Sequence, residues 1–211
     1  MTLTDNEIER YSRQIIVAGG VAQERLRAAR IVVVGTIPAV EPALRYLVGA
    51  GIGHIGLYLG DADNNARRNL VGRLHGLDSS VTIEGEESPK QSPDLCLMII
   101  SGPEVLAKAR AIRAMYPGAA LIAVWLALPV AIAISPARER PKASAGGELS
   151  RAWPESALGA ESAVNPGFVT MVAVTEALKL LMEPAATVEP KVIEFEGYQT
   201  RVHPLIDAVW G

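Results

Sequence analysis

The sequence predicts an α/β fold in which a mainly parallel sheet is flanked by helices and ends in an antiparallel hairpin. Three features predict it. Ile31-Val32-Val33-Val34-Gly35 is a β-branched run ending in glycine, the pattern of a strand buried on both faces. Segments of helical composition alternate with further apolar runs, as βαβ units require. Near the end, Val192-Ile193-Glu194-Phe195-Glu196 alternates apolar and acidic, the period of a half-exposed strand, and residues 200–203 can pair with it.

The elements follow in order. Thr4 can cap a first helix with Glu7 three residues later, as a capping box requires, and that helix runs to about residue 16. Gly19 and Gly20 break it, and 23–29 is helical again. After the first strand, 38–48 is helical, with Pro38 in the first turn where a missing N–H costs little. Residues 49–53 end that helix and 55–59 form a second strand. A short helix at 70–77, a strand at 81–83 and a central strand at 94–100 come next. Residues 104–116 make a helix stopped by Pro117-Gly118, and 120–134 supply two more strands. Rich in Pro, Ser, Gly, Arg and Glu, 135–163 reads as a long crossover loop, and a helix returns at 168–182. The expectation is therefore one domain over 1–211: N-terminal helices to 30, a core over 31–134, the loop over 135–163, and a helix with strands from 164.

With 49% hydrophobic and 20% charged residues, the chain can fill a large core, and disorder is not its default. A net charge of −3 without a basic stripe argues against a nucleic-acid surface. The longest apolar run, 119–134, is shorter than a bilayer span and is interrupted by Pro129, so no membrane segment is expected. The polar start, 1–10, is no signal peptide, and the single Cys96 allows no intrachain disulfide, which agrees with the cytoplasm.

Some residues carry a family likeness. Glu9-Arg10-Tyr11-Ser12-Arg13-Gln14-Ile15-Ile16, then Gly20, Gln23 and Leu26, then the first strand, resemble the opening of ThiF, MoeB and HesA proteins. Gly49-Ala50-Gly51-Ile52-Gly53, an acidic pair, Asn69-Leu70 and Glu176-Ala177-Leu178-Lys179-Leu180-Leu181 follow in the same order. The resemblance implies a Rossmann-like fold, a dimer, and a domain that binds ATP and adenylates the C-terminal glycine of a ubiquitin-like sulfur carrier or modifier.

It also implies where chemistry should lie, and there the sequence departs. The family's Gly-x-Gly-Gly-x-Gly falls on Gly35-Thr36-Ile37-Pro38-Ala39-Val40, where only Gly35 is kept. Glycines let backbone N–H groups reach an anion, whereas Ile37 and Val40 bring branched side chains, Pro38 removes a donor, and Glu41 adds negative charge. Asp61 and Asp63 resemble the ribose-binding Asp-x-Asp but stand about two residues late, so they are either that pair or a polar loop. Asn69 matches a phosphate-proximal asparagine, and Arg73 lies one position from a nearby family arginine. Arg13 matches an arginine that reaches the partner's nucleotide; without ATP it is a surface charge. The phosphate lysine is missing from 70–81, and Ser101 or Gly102 occupies the place of the magnesium-binding aspartate.

The zinc-holding Cys-x-x-Cys pairs are also absent, so no zinc is expected. The crossover loop holds no cysteine, Cys96 reads as a small core residue, and Arg138 and Arg140 as solvated charges. Two functions are open. One is a non-catalytic member without ATP or another cofactor, pairing as a homodimer or with an active homologue and receiving a ubiquitin-like or sulfur-carrier protein. The other is an adenylyltransferase using ATP and magnesium through a rebuilt site.

Overall fold

A computed structural model of the chain describes residues 3–60, 62–85, 91–126, 130–136, 165–183, 189–196 and 199–204. Thr4 and Glu7 form the expected capping box on α1 (Asp5–Arg10), with the Thr4 amide donating to the Glu7 carboxylate at 2.9 Å. Tyr11 separates α1 from α2 (Ser12–Ala18), so the single expected helix is two. Gly19, at φ +87°, turns the chain into α3 (Gly20–Ala28).

The core then alternates as expected: β1 (Arg30–Gly35), α4 (Ile37–Gly49), β2 (His54–Leu59), α5 (Asn64–Leu77), β3 (Thr82–Glu84), β4 (Leu95–Ile100), α6 (Pro103–Met115) and β5 (Ala120–Trp125). It continues through β6 (Val130–Ser135), α7 (Pro166–Met182), β7 (Lys191–Glu196) and β8 (Gln199–Pro204). One sheet runs β3-β2-β1-β4-β5-β6-β7-β8. Its first five strands are parallel, and β5 to β8 pair antiparallel, ending in the hairpin that the alternation at 192–196 predicts. The expected short helix at 70–77 is in fact the second half of α5, which begins at Asn64 because the Asp63 carboxylate accepts the Ala66 amide at 2.7 Å. No helix lies between α5 and β3.

Period-2 alternation sorts the strand residues between two layers. Ile31, Val33, Leu95, Leu97 and Ile99 pack beneath α4, α5 and α7, whereas Val32, Val34, Cys96, Met98 and Ile100 pack beneath α6. In α7, Val169, Ala173, Val174 and Ala177 are buried, while Phe168 is exposed and meets Phe195 edge-on at 6.1 Å. Glu176 is nearly buried, and its carboxylate accepts Lys179 at 2.9 Å and Lys191 at 2.8 Å, tying α7 to β7. Burial alone would raise the Glu176 pKa, but the two lysines bring it below the usual value.

The N-terminal helices sit on a glycine turn after α4. Gly51 has φ +88°, and a Cβ there would lie 2.5 Å from the Gln23 amide nitrogen and 2.8 Å from the Tyr11 ring. A Cβ on Gly53 would lie 1.9 Å from the Arg27 carbonyl oxygen. Side-chain amides complete the seat: Gln14 donates to the Gly49 carbonyl at 3.1 Å and Gln23 to the Ala50 carbonyl at 2.9 Å. The Tyr11 hydroxyl donates to Asp78 at 2.6 Å, and Arg10 donates to the Leu77 carbonyl. The crossover loop expected over 135–163 lies outside the described residues after position 136, as do Arg138 and Arg140.

Candidate functional site

In an open α/β sheet the ligand crevice forms at the carboxyl ends of the strands, where the strand order reverses. Here that point lies between β1 and β4, because β2 and β3 extend one way and β4 and β5 the other. From it α4 leaves on one face and α6 on the other. The lips of the crevice are therefore Gly35-Thr36-Ile37 and Ser101-Gly102-Pro103.

The β1 lip has no glycine loop. Thr36 alone separates the last residue of β1 from the first of α4. Val40 is fully buried on Gly35, where a Cβ would stand 2.5 Å from its Cγ1 and 3.0 Å from the Ile99 carbonyl oxygen. Gly35 is thus required by a packed valine rather than by an open cradle. The Ala39 and Val40 amides both donate to the Thr36 carbonyl, at 3.1 and 3.0 Å, and Pro38 has no N–H. On the other lip, Ser101 follows β4 and is exposed, and Gly102 caps α6 without a side-chain hydrogen bond. Glu104 places an acid in the first turn of α6.

The other sequence-predicted residues divide. Asp61 lies outside the described residues. Asp63 is the N-cap of α5, its carboxylate engaged by the Ala66 amide. Asn69 is exposed on α5. Arg73 is also on α5 and forms a two-pronged pair with Glu41, its Nε and Nη2 each donating at 2.9 Å. That bond raises the guanidinium pKa further. Arg45 approaches the same carboxylate at 3.7 Å. The sequence marked Glu41 as a repulsive charge but gave no sign of its arginine partner, because a contact between α4 and α5 has no local pattern.

Arg13 is not brought to this crevice. Its neighbour Gln14 binds the Gly49 carbonyl at the far end of α4, and a 13-residue helix is about 20 Å long. There Arg13 borders an apolar groove of about 580 Å³ with Val17, Ala18, Leu26, Tyr46 and Met182. Ile16 and Val17 beside it are 83% and 88% exposed, and Val21 and Tyr46 are also exposed, which is more apolar surface than scattered single residues give.

Other candidate groups are spent elsewhere. Cys96 is buried within β4, and burial pushes its thiol up to about 12. Asp78 is buried; burial alone would raise its pKa, but hydrogen bonds from Ser80 and Tyr11 and the charge of Arg10 hold it below the usual value. Lys108 reaches from α6 to the Leu59 carbonyl at 3.2 Å, and no sequence signal marks that reach.

No family model matches the chain. It is 40% identical over 90 residues to adenylyltransferase and sulfurtransferase MOCS3 of Culex quinquefasciatus, covering 42% of this chain and 20% of the relative. It is 46% identical over 59 residues to sulfur carrier protein adenylyltransferase of Thermus thermophilus, covering 27% and 22%. These matches thus span about a fifth of the relatives' length. Among solved structures, E. coli MccB with ATP superposes at a TM-score of 0.66 with 12% identity, over 96% of this chain and 72% of that one. PaaA superposes at 0.62 with 13% identity, over 97% and 84%.

Proposed function

We propose that this chain, a ThiF/MoeB-type adenylyltransferase-like domain, is a non-catalytic binding or scaffolding protein that has lost ATP binding and adenylation. The observation that carries the reading is Val40 packed on Gly35, where a phosphate loop needs open space and free amides. The rest of the crevice agrees with it. Pro38 offers no donor, Arg73 is held by Glu41, and Ser101 and Gly102 supply no carboxylate for magnesium. A triphosphate with its metal does not fit these residues.

What the chain keeps is a surface. The groove beside Arg13 and the exposed Ile16, Val17, Val21 and Tyr46 support association with a second copy or with an active homologue. The curated relatives are named for sulfur carriers and sulfurtransfer, and a ubiquitin-like or sulfur-carrier protein is the partner class this reading assigns. Among the described residues no helix is long and apolar enough to cross a membrane. The reading places the protein in the cytoplasm, where its one thiol stays reduced.

Calorimetric titration with Mg-ATP tests the reading. No binding is expected into the millimolar range. Low-micromolar affinity, or ATP–pyrophosphate exchange with a sulfur-carrier protein, overturns it in favour of an adenylyltransferase with a rebuilt site.

A further inference from the structure

The ion pair between α4 and α5 has the form of an occupied anion site. Two guanidinium groups, Arg73 from α5 and Arg45 from α4, converge on the one carboxylate of Glu41. Arg73 meets it fork to fork, with both contacts at 2.9 Å. This is the bidentate geometry with which arginine receives a phosphate, and a carboxylate and a phosphate edge compete for it directly. Glu41 is 23% exposed in its side chain, and Arg73 and Arg45 are 47% and 56% exposed, so the pair lies at the surface where a free anion can reach it.

From this we infer that Glu41 is a resident anion, the residue that occupies Arg73 and Arg45 and so bars polyphosphates from them. The inference rests on the non-catalytic reading and adds a cause that the glycine positions do not supply. Position matters as well as charge. Arg73 stands one residue from the family's arginine, and one residue along a helix turns a side chain by about 100°. Gly72, at the neighbouring position, is exposed and carries no side chain, so the family's own position offers no cation. The carboxylate is supplied by the fold itself, at no cost in association entropy, so a free anion must displace an intramolecular ligand.

The test is titration of the full chain with inorganic pyrophosphate, followed by calorimetry or phosphorus NMR. The unaltered protein should give no saturable binding. Glu41→Ala should gain at least roughly tenfold in affinity as the two guanidiniums are released, with strong sensitivity to salt. The double variant Glu41→Ala, Arg73→Ala should lose the gain. An exposed ion pair contributes little to stability, so Glu41→Ala should fold, and a thermal melt checks that it has. A folded Glu41→Ala protein with no gain sinks the inference, as does a gain that survives removal of Arg73. Either result with the unaltered chain still silent toward Mg-ATP leaves the non-catalytic reading standing. Tight Mg-ATP binding by the unaltered chain overturns both.

Discussion

Tyr11→Phe should destabilise the protein measurably while leaving its fold intact. The tyrosine is 1% exposed, and its hydroxyl donates at 2.6 Å to Asp78, which is 2% exposed. Phenylalanine keeps the ring that packs against Gly51, so the change isolates the hydrogen bond. A hydrogen bond to a charged group contributes about 1.5–3 kcal/mol. For a domain of this size each kcal/mol moves Tm by about 2–4 °C, so a fall of roughly 3–12 °C is expected at pH 7. The pH dependence follows from two opposite shifts. Burial first, and then the Asp78 carboxylate, raise the Tyr11 pKa well above that of a free phenol. Its contribution is therefore complete below about pH 10, the unfolded value, and is lost as pH rises further. Asp78 is shifted downward, so its contribution is present above about pH 4 and is lost as pH falls through the folded value. Thermal melts from pH 3 to 11 should show the variant without the tyrosine's alkaline loss and with its acid limb moved to higher pH. A Tm within about 1 °C of the parent at pH 7, with an unchanged alkaline limb, would refute a stabilising role for the Tyr11–Asp78 hydrogen bond.

Three further outcomes are expected. Gly53→Ala, which puts a Cβ 1.9 Å from the Arg27 carbonyl oxygen, should cost at least about 3 kcal/mol in denaturant unfolding, and a near-neutral result would contradict the close approach of α3 to the turn. Cys96, with its thiol pushed up to about 12 by burial, should resist disulfide reagents at pH 8 in the native protein and react on unfolding; prompt native labelling refutes this. Light scattering should give a dimer for the unaltered chain and a monomer for Val17→Asp, because Val17 is 88% exposed beside the apolar groove. A clean monomer of the unaltered chain across a wide concentration range would remove the dimer from the proposal.

The strands and their order of use were legible because parallel strands buried on both faces are continuous apolar runs, as in β1 and β4. The start of α5 was not. Asp63-Asn64-Asn65 has the composition of a polar loop, and its role as a cap depends on a carboxylate turning back to the Ala66 amide. The damage to the phosphate loop was legible residue by residue. What fills it was less so, because Val40 lying on Gly35 is a contact that only the short β1–α4 connection creates. The likeness in Arg10-Tyr11-Ser12-Arg13-Gln14 and Gly49-Ala50-Gly51-Ile52-Gly53 also has a structural content that the string does not disclose. Tyr11, Gln14, Gly51 and Gly53 hold the N-terminal helices to the end of α4, far from the crevice, and need no nucleotide to explain them.

That separation decides what reversion can achieve. Restoring glycine at Ile37, Pro38 and Val40 would open the space over Gly35 and return one amide, at position 38, to the first turn of α4. It would also remove a fully buried valine side chain, at about 0.8 kcal/mol for each lost methyl-sized group, and add glycine to a helix at about 1 kcal/mol each. The sum, near 5 kcal/mol, is comparable to the whole stability of a marginal domain. Val40→Gly alone costs roughly 3 kcal/mol and should remain folded when cold. Neither variant gains a carboxylate at Ser101 or a phosphate lysine in the segment after Leu70, and loss of a single transition-state contact of this kind typically lowers turnover by about 10² to 10³. ATP–pyrophosphate exchange with a sulfur-carrier protein should therefore stay at background for the unaltered chain, for Val40→Gly and for the triple variant. Exchange above background in folded Val40→Gly would mean that the valine is the only block, and that the rest of the crevice is still a working adenylation site.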